Sequence, residues 1–286
     1  MNSPIFLLMY RQLYNAYRKR YRVIIKRELD KQCRQLLKGE QPDEEGLKRA
    51  IRTLHQGAGK TMAKYTYDKV NKSAGLKQEM TPEQRWAEIM KFLVERSLQK
   101  LADDITETTK EKIKAILIKG LQENWDIRRM TQELEKSGVN AYRAELIART
   151  ETTKAANQGA LLGAVSTGLQ SVKEWIAILD DRTRRTPKDE FNHFSMDGVQ
   201  VPVDEMFNVV GNESIAMMEF PGDSNGGLGN VCNCRCTVGF EVIRDATGKP
   251  IPIQGNLKGA AGEMYNLWNN SVFLQIQRGL YEALPG

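Results

Sequence analysis

Cysteine is scarce in this sequence: four residues among 286, three of them within five positions. That count excludes a disulfide-stapled secreted domain, and a reducing interior fits better. Nowhere do apolar residues run uninterrupted for the roughly 18 positions of a membrane span, so no membrane insertion is expected. The longest apolar opening, Ile5-Phe6-Leu7-Leu8-Met9-Tyr10, is short, and its positive charges, Arg11 and Arg18-Lys19-Arg20, follow it. A secretory signal puts them first, so no export signal is expected. Low-complexity tracts and internal repeats are missing too, which removes collagen-like and wholly disordered architectures.

What is present is the composition of a folded chain, 41% apolar and 27% charged, with length enough for two domains as a starting expectation. The charge is uneven. Residues 1–150 carry 31 basic and 20 acidic side chains, a net +11, and residues 151–286 carry 11 and 16, a net −5. Such asymmetry points to an N-terminal part that meets an anionic surface, of nucleic acid or protein, or else to a solvated helical face rich in Lys and Arg. The candidate contacts are Arg18, Lys19, Arg20, Arg22, Lys26 and Arg27.

Helical spacing dominates the first half. Leu13, Tyr14, Tyr17, Tyr21, Ile24, Ile25, Leu29 and Leu36 recur at helix period without Gly or Pro until Gly39. A second run leads from Glu44 towards Tyr67, and a third from Thr81-Pro82-Glu83, where Thr81 and Gln84 fit a capping box, to Ile118 with Gly120 as its stop. Shorter helices are expected at Asp126–Lys136 and Ala141–Val165. Phe6, Leu7, Tyr10, Leu13, Tyr14 and Tyr17 form an aromatic stripe that either docks in a partner's groove or is the bundle's own core.

Near Gly168 the pattern changes. Val172–Leu179 and Cys234–Ile243 are rich in strand formers, with polar turns between them, and Thr247-Gly248-Lys249-Pro250 reads as a closing turn. The predicted class is α+β: an elongated, basic, helix-rich domain over 1–125, a small mixed module with short strands and a long loop over 126–245, and a tail over 246–286 with a helix from Glu263 to Leu284.

Four patterns suggest chemistry. Gly57-Ala58-Gly59-Lys60-Thr61 resembles the end of a phosphate-binding loop, and Trp175 to Asp181 an apolar strand ending in a metal-binding Asp. The first Gly of that loop would be Leu54, however, and the preceding residues have helical spacing. Glu133-Leu134-Glu135 supplies letters of an ADP-ribosylating toxin, but in a helix-like run and before the Ser166-Thr167 pair, so order and context are both wrong. Cys232-Asn233-Cys234-Arg235-Cys236 would face three thiols to one side of a strand, successive ones about 6.6–6.8 Å apart at Cα. Collinear thiolates cannot surround one zinc, but a bent chain could offer two cysteines from this set together with His193, with or without an Asp. Alternatively the cysteines are reduced and pack as small hydrophobes. Finally, Asp180, Asp181, Arg182, Arg184 and Arg185 are either a metal-dependent hydrolase site with His193 as base, or a strand end whose carboxylate takes a bidentate Arg and pins the loop that follows.

The order of pieces is informative as a set. Ile147-Ala148-Arg149-Thr150-Glu151-Thr152 leads to Ala156-Asn157-Gln158-Gly159. Then come Trp175, Asp181-Arg182-Thr183-Arg184, His193, Asp197-Gly198, Phe207, Pro221-Gly222-Asp223 and Asn233-Cys234-Arg235-Cys236. Over residues 130–245 this succession resembles the phage Mu protein F-like family of head morphogenesis proteins, minor capsid proteins of tailed phages. The resemblance implies a non-enzymatic virion component that partners the portal protein encoded beside it. Packaged DNA, scaffold or major capsid protein are further partners it suggests, inside the head near the portal and in the host cytoplasm during assembly. It implies roles in head assembly, DNA packaging or DNA ejection. Some relatives carry a C-terminal effector domain, whereas here about 40 residues follow the module. Cys232 is extra, and Arg184-Arg185-Thr186-Pro187 stands where some relatives carry a cysteine pair, so a four-cysteine zinc site is not implied. The reading from another class is a metal- or nucleotide-dependent phage enzyme. No cofactor is expected beyond a zinc ion at the His193, Cys232, Cys234 and Cys236 set.

Overall fold

A computed structural model of the chain describes residues 3–76 and 83–270. Five helices come first: α1 (Ser3–Leu37), α2 (Glu45–Ala74), α3 (Glu83–Gln122), α4 (Ile127–Lys136) and α5 (Val139–Val165). A strand-containing part follows, with β1 (Ser171–Ile176), β2 (Gln200–Pro202), β3 (Phe207–Val210), β4 (Ile215–Met218), the short α6 (Gly227–Val231) and β5 (Thr237–Val242), and then α7 (Gly259–Asn270). The class is α+β. Thr81 and Pro82 of the expected capping box, and residues 271–284 of the expected tail helix, lie outside the described residues. None of the described helices is long and apolar enough to cross a membrane.

The helix boundaries follow local chemistry. α2 runs past Tyr67 to Ala74, where Gly75 turns left-handed at φ 75° and the last carbonyls are taken up by Leu76 N–H on Asn71 (3.0 Å) and Gly75 N–H on Lys72 (3.2 Å). Asp126 caps α4, its Oδ1 accepting from Arg129 N–H at 2.7 Å. At the ridge of α1, Phe6, Tyr10, Leu13 and Tyr14 are buried and Leu7 and Tyr17 are partly so. The aromatic stripe is therefore this chain's own core, and the groove-docking alternative falls away. One apolar cluster runs from Phe6 through the helices and the sheet to Met264.

α5 is the central helix, buried nearly all round. It crosses α2 so closely that a Cβ on Gly159 would overlap the Gly59 carbonyl, and one on Gly163 the Ala63 carbonyl. Small residues four apart on both helices, Gly59/Ala63 and Gly159/Gly163, let the two backbones touch. This corrects the phosphate-loop reading. Residues 57–61 lie inside α2, so their N–H groups serve the helix ladder rather than a ligand. Gly57 faces the Tyr17 ring, Gly59 abuts Met90 and α5, and Lys60 lies 3.7 Å from Glu83.

Beyond α5, β1 is the middle of an antiparallel sheet ordered β2-β1-β5, with Lys173 opposite Val201 on one side and Phe240 on the other. β3 and β4 form a separate hairpin that pairs Phe207 with Met218. Both expected strands are shorter than their apolar runs. β1 stops at Ile176, and Leu179 is left-handed at φ 58°. β5 begins at Thr237, after the cysteines. The 247–250 turn closes as expected, with Gly248 N–H on Asp245 (2.9 Å) and Ile251 N–H on Ile243 (3.0 Å).

Buried charge ties the sheet to α7. Lys173, fully buried, lies 3.3 Å from Glu219, whose other oxygen accepts from Ala260 N–H at 2.8 Å in the first turn of α7. Burial drives the Lys173 pKa down, and Glu219 offsets part of that fall.

The α2–α5 contact makes a sharp prediction. Gly159→Ala puts a methyl group into backbone that cannot yield, and should cost about 2–3 kcal/mol in urea unfolding. Gly57→Ala meets only the movable end of Tyr17 and gains helix propensity, so it should lie within about 1 kcal/mol of the parent. Equal effects of the two would show that the crossing is not close.

Candidate metal centre and its clamp

Arg149, Thr150 and Asn157 of the α5 motifs, with Thr153 between them, reach into the segment 221–238. Asn157 uses its whole amide: Nδ2 donates to the carbonyls of Pro221 (2.7 Å) and Cys236 (3.0 Å), while Oδ1 accepts from Thr237 Oγ1 (2.8 Å) and Val238 N–H (3.2 Å). One turn earlier, Thr153 Oγ1 donates to the Cys234 carbonyl at 2.8 Å and meets Tyr10 Oη at 3.0 Å. Another turn back, Thr150 Oγ1 accepts from Asn233 N–H (3.0 Å) and Arg149 donates to Asn233 Oδ1 (3.1 Å). On the far side of α5, Glu151 meets His55 of α2 at 2.8 Å, both buried. Burial pushes the Glu151 carboxyl up, but the His55 hydrogen bond and charge outweigh it and the net direction is down.

This clamp shapes the cysteine segment. Asn233 is left-handed at φ 61°, a conformation that Asn tolerates better than most residues. The kink ends the alternation expected of a strand: Cys234 and Cys236 turn inward and Arg235 turns out. Cys232 falls on the other side of the kink. Its carbonyl accepts from Arg184, its thiol is half-buried, and it lies outside the cluster of His193, Cys234 and Cys236 that could hold a metal.

The inward thiols meet His193. Its Nδ1 lies 3.6 Å from Cys234 Sγ and 3.7 Å from Cys236 Sγ, and all three donor atoms fall within 4.8 Å of one another. These three side chains are 1–4% exposed. Nε2 of His193 is 2.9 Å from Asn230 Oδ1, and Asn230 Nδ2 donates to the Gly226 carbonyl at 2.9 Å. That second bond sets the amide's orientation, so Nε2 carries the proton and Nδ1 turns a lone pair to the sulfurs. Trp175 packs edge-on against the imidazole, with centroids 5.3 Å apart. A hydrogen bond from the Cys236 thiol holds the Cys234 thiol well below its ordinary pKa, against the effect of burial. That same bond and burial push Cys236 well above it. Asn230 carried no signal in the sequence.

The charge cluster resolves as a strand-end anchor built on Asp180, not on Asp181 of the Asp181-Arg182-Thr183-Arg184 motif, which is exposed and enters no ion pair among the described residues. The left-handed Leu179 turns Asp180 inward, where Arg235 grips both its oxygens at 2.5 and 2.6 Å. Arg182 N–H donates to Asp180 Oδ1 at 3.0 Å, and buried Thr183 Oγ1 accepts from Asp180 N–H at 3.2 Å. The Arg235 guanidinium holds the Asp180 carboxyl far below the usual carboxylate range. Arg182, Thr183, Arg184 and Arg235 also line a recess of about 10 Å³, room for one water-sized sphere, that opens onto His193, Cys234 and Cys236.

The basic α1 residues are mostly spoken for. Arg18 and Arg22 pair with Glu145, Lys26 with Asp30 (2.6 Å) and Arg27 with Glu28 (3.4 Å). Lys19 and Arg20 are exposed and enter no ion pair among the described residues. Glu133-Leu134-Glu135 belongs to α4, with Leu134 buried and Glu133 held by Lys136 at 2.8 Å. Ser166 and Thr167 close α5.

Residues 111–239 match the family described as Phage Mu protein F like protein. The chain is also 31% identical over 151 residues to NAD(+)--arginine ADP-ribosyltransferase EFV of Enterococcus faecalis (strain ATCC 700802 / V583). That match covers 52% of this chain and 28% of the relative, so the chain spans little more than a quarter of it. No solved structure matches the chain.

Two variants test the clamp. Asn157→Ala strands two carbonyls, a hydroxyl and an N–H in the interior, and should cost about 3 kcal/mol or more in chemical unfolding. Asp180→Asn should cost about 1 kcal/mol at neutral pH, because the pair is partly open to water. A carboxyl held below its ordinary value of 3.8 adds stability above that value and loses it as pH falls. The gap between parent and Asp180→Asn stabilities should therefore narrow steadily as pH falls from about 4 to about 2. A gap unchanged over that range would show that Asp180 is not held as a carboxylate.

Proposed function

We propose that this chain, whose residues 111–239 match the phage Mu protein F-like family, is a minor capsid protein of a tailed phage. In this reading it binds the portal inside the head and acts in head assembly or in DNA packaging and delivery. The family match carries it. The family's motif residues also gather at one clamp: Arg149 and Thr150 of α5 hold Asn233 of the kinked segment directly, and Asn157 holds Cys236. Such a clamp makes a rigid body from a helix and loops, which suits docking.

The surroundings favour a structural part over a catalytic one. Asp180 is occupied by Arg235, and Nε2 of His193 by Asn230, so neither is free to move a proton. A transferase reading draws on the name of a relative of which this chain spans 28%. The Glu133/Glu135 helix offers it no support.

Charge suggests the mode of contact. With four of the six candidate cations paired internally, Lys19 and Arg20 are the two of the six that are exposed and enter no ion pair among the described residues. An anionic portal surface or packaged DNA would meet them in a salt-dependent way.

Co-expression with the portal protein encoded beside it, followed by size-exclusion chromatography, is the test. A complex at low salt that Lys19→Glu/Arg20→Glu weakens several-fold is expected. Absence of a complex at both low and high salt would overturn portal binding. Loss of the protein from purified particles would overturn the virion assignment.

A further inference from the structure

We propose that His193 Nδ1, Cys234 Sγ and Cys236 Sγ together bind one zinc ion, with its fourth position filled by a solvent molecule from the recess beside Arg182 and Arg184. The donor spacing is the first argument. Zinc sits about 2.3 Å from thiolate sulfur and about 2.0–2.1 Å from imidazole nitrogen, so tetrahedral coordination sets sulfur and nitrogen about 3.6 Å apart. The two sulfurs lie at 3.6 and 3.7 Å from Nδ1.

Orientation is the second argument. Ligating histidines ordinarily donate their other ring N–H to an oxygen that fixes tautomer and plane. Asn230 does this for His193 and is itself held by the Gly226 carbonyl. The cysteine carbonyls are fixed as well, that of Cys234 by Thr153 and that of Cys236 by Asn157. The two cysteines are therefore held in place by α5, and His193 by Asn230 of α6.

Donor chemistry is the third. Two sulfurs and one imidazole suit zinc far better than the hard cations magnesium or calcium, which take oxygen. No fourth His, Cys, Asp or Glu joins the group among the described residues. The recess that reaches the donors holds about one water. On binding, each thiol gives its proton to solvent and the sulfur lone pair goes to the metal, with no redox change.

The full-length protein, stripped with chelator and titrated with Co²⁺ under anaerobic conditions, gives the decisive readout. One equivalent should produce thiolate-to-cobalt charge transfer and the strong visible bands of tetrahedral Co²⁺, and Zn²⁺ should displace both. Cys232→Ser and Cys33→Ser should keep both signals, while Cys234→Ser and Cys236→Ser should lose the charge-transfer band. Azide should shift the visible bands. Folded parent protein that shows no bands, or equal loss in Cys232→Ser, would overturn the site. Bands unmoved by azide would overturn the solvent-filled fourth position. The parent titration stands even where a cysteine variant does not fold.

Discussion

The module depends on one side chain, Asn157, having all its hydrogen-bonding capacity spent. A primary amide offers two donors and an acceptor oxygen with two lone pairs, and here four partners from segment 221–238 take them up. The partners are three backbone groups and one hydroxyl, in a region where an unmade bond costs more than a made one contributes. Two of those partners belong to Thr237 and Val238, the first residues of β5. A third is the carbonyl of Cys236. The start of the strand, the cysteine geometry and the position of the Pro221 turn are therefore one constraint, imposed from a helix that lies earlier in the chain.

That helix can impose it because it is itself immobilised. Gly159 and Gly163 bring α5 into backbone contact with α2, and Glu151 meets His55 between the same two helices. Polar anchors face the module and glycines face the bundle, so one helix serves two surfaces without a spare face. Lys173–Glu219 repeats the device at the other side of the sheet, joining β1 to α7. Buried pairs of this kind add little net stability, because desolvation offsets their attraction. What they provide is a penalty for any arrangement that separates them, which fits a module with short strands and little sheet of its own.

Local pattern in the sequence is enough to reveal the helices, because a period of 3.6 is a property of neighbours. The aromatic stripe, the Asp126 start and the 247–250 turn are legible for the same reason. What was not legible is what depends on distant chain. The glycines at 57–59 resemble a phosphate loop until α5 is laid against them, and only then is Gly59 seen as a packing residue. Asp181 looked as good an anchor as Asp180, since only the left-handed turn at Leu179 decides which carboxylate faces Arg235. Cys232 looked equivalent to its neighbours until the kink at Asn233 set it apart. Two of the three cysteines and His193 were within reach of sequence reasoning. Asn230, which orients the histidine, was not, since one Asn among polar loop residues has no distinguishing pattern.

The same geometry says what a metal at this place would do. His193 lies in the long loop between β1 and β2, and Cys234 and Cys236 lie before β5. Neither stretch has enough regular hydrogen bonding to define its path alone. Joined through one ion they would close a cross-link between two loops already tied to α5 on one side and to Asp180–Arg235 on the other. A catalytic metal also needs a nearby base and room for substrate, whereas Asp180 and the His193 Nε2 are engaged and the recess holds about one water. The chemistry of the surroundings thus favours an ion that shapes the module over one that reacts. A module shaped in this way suits a part that must present one fixed surface to a large assembly.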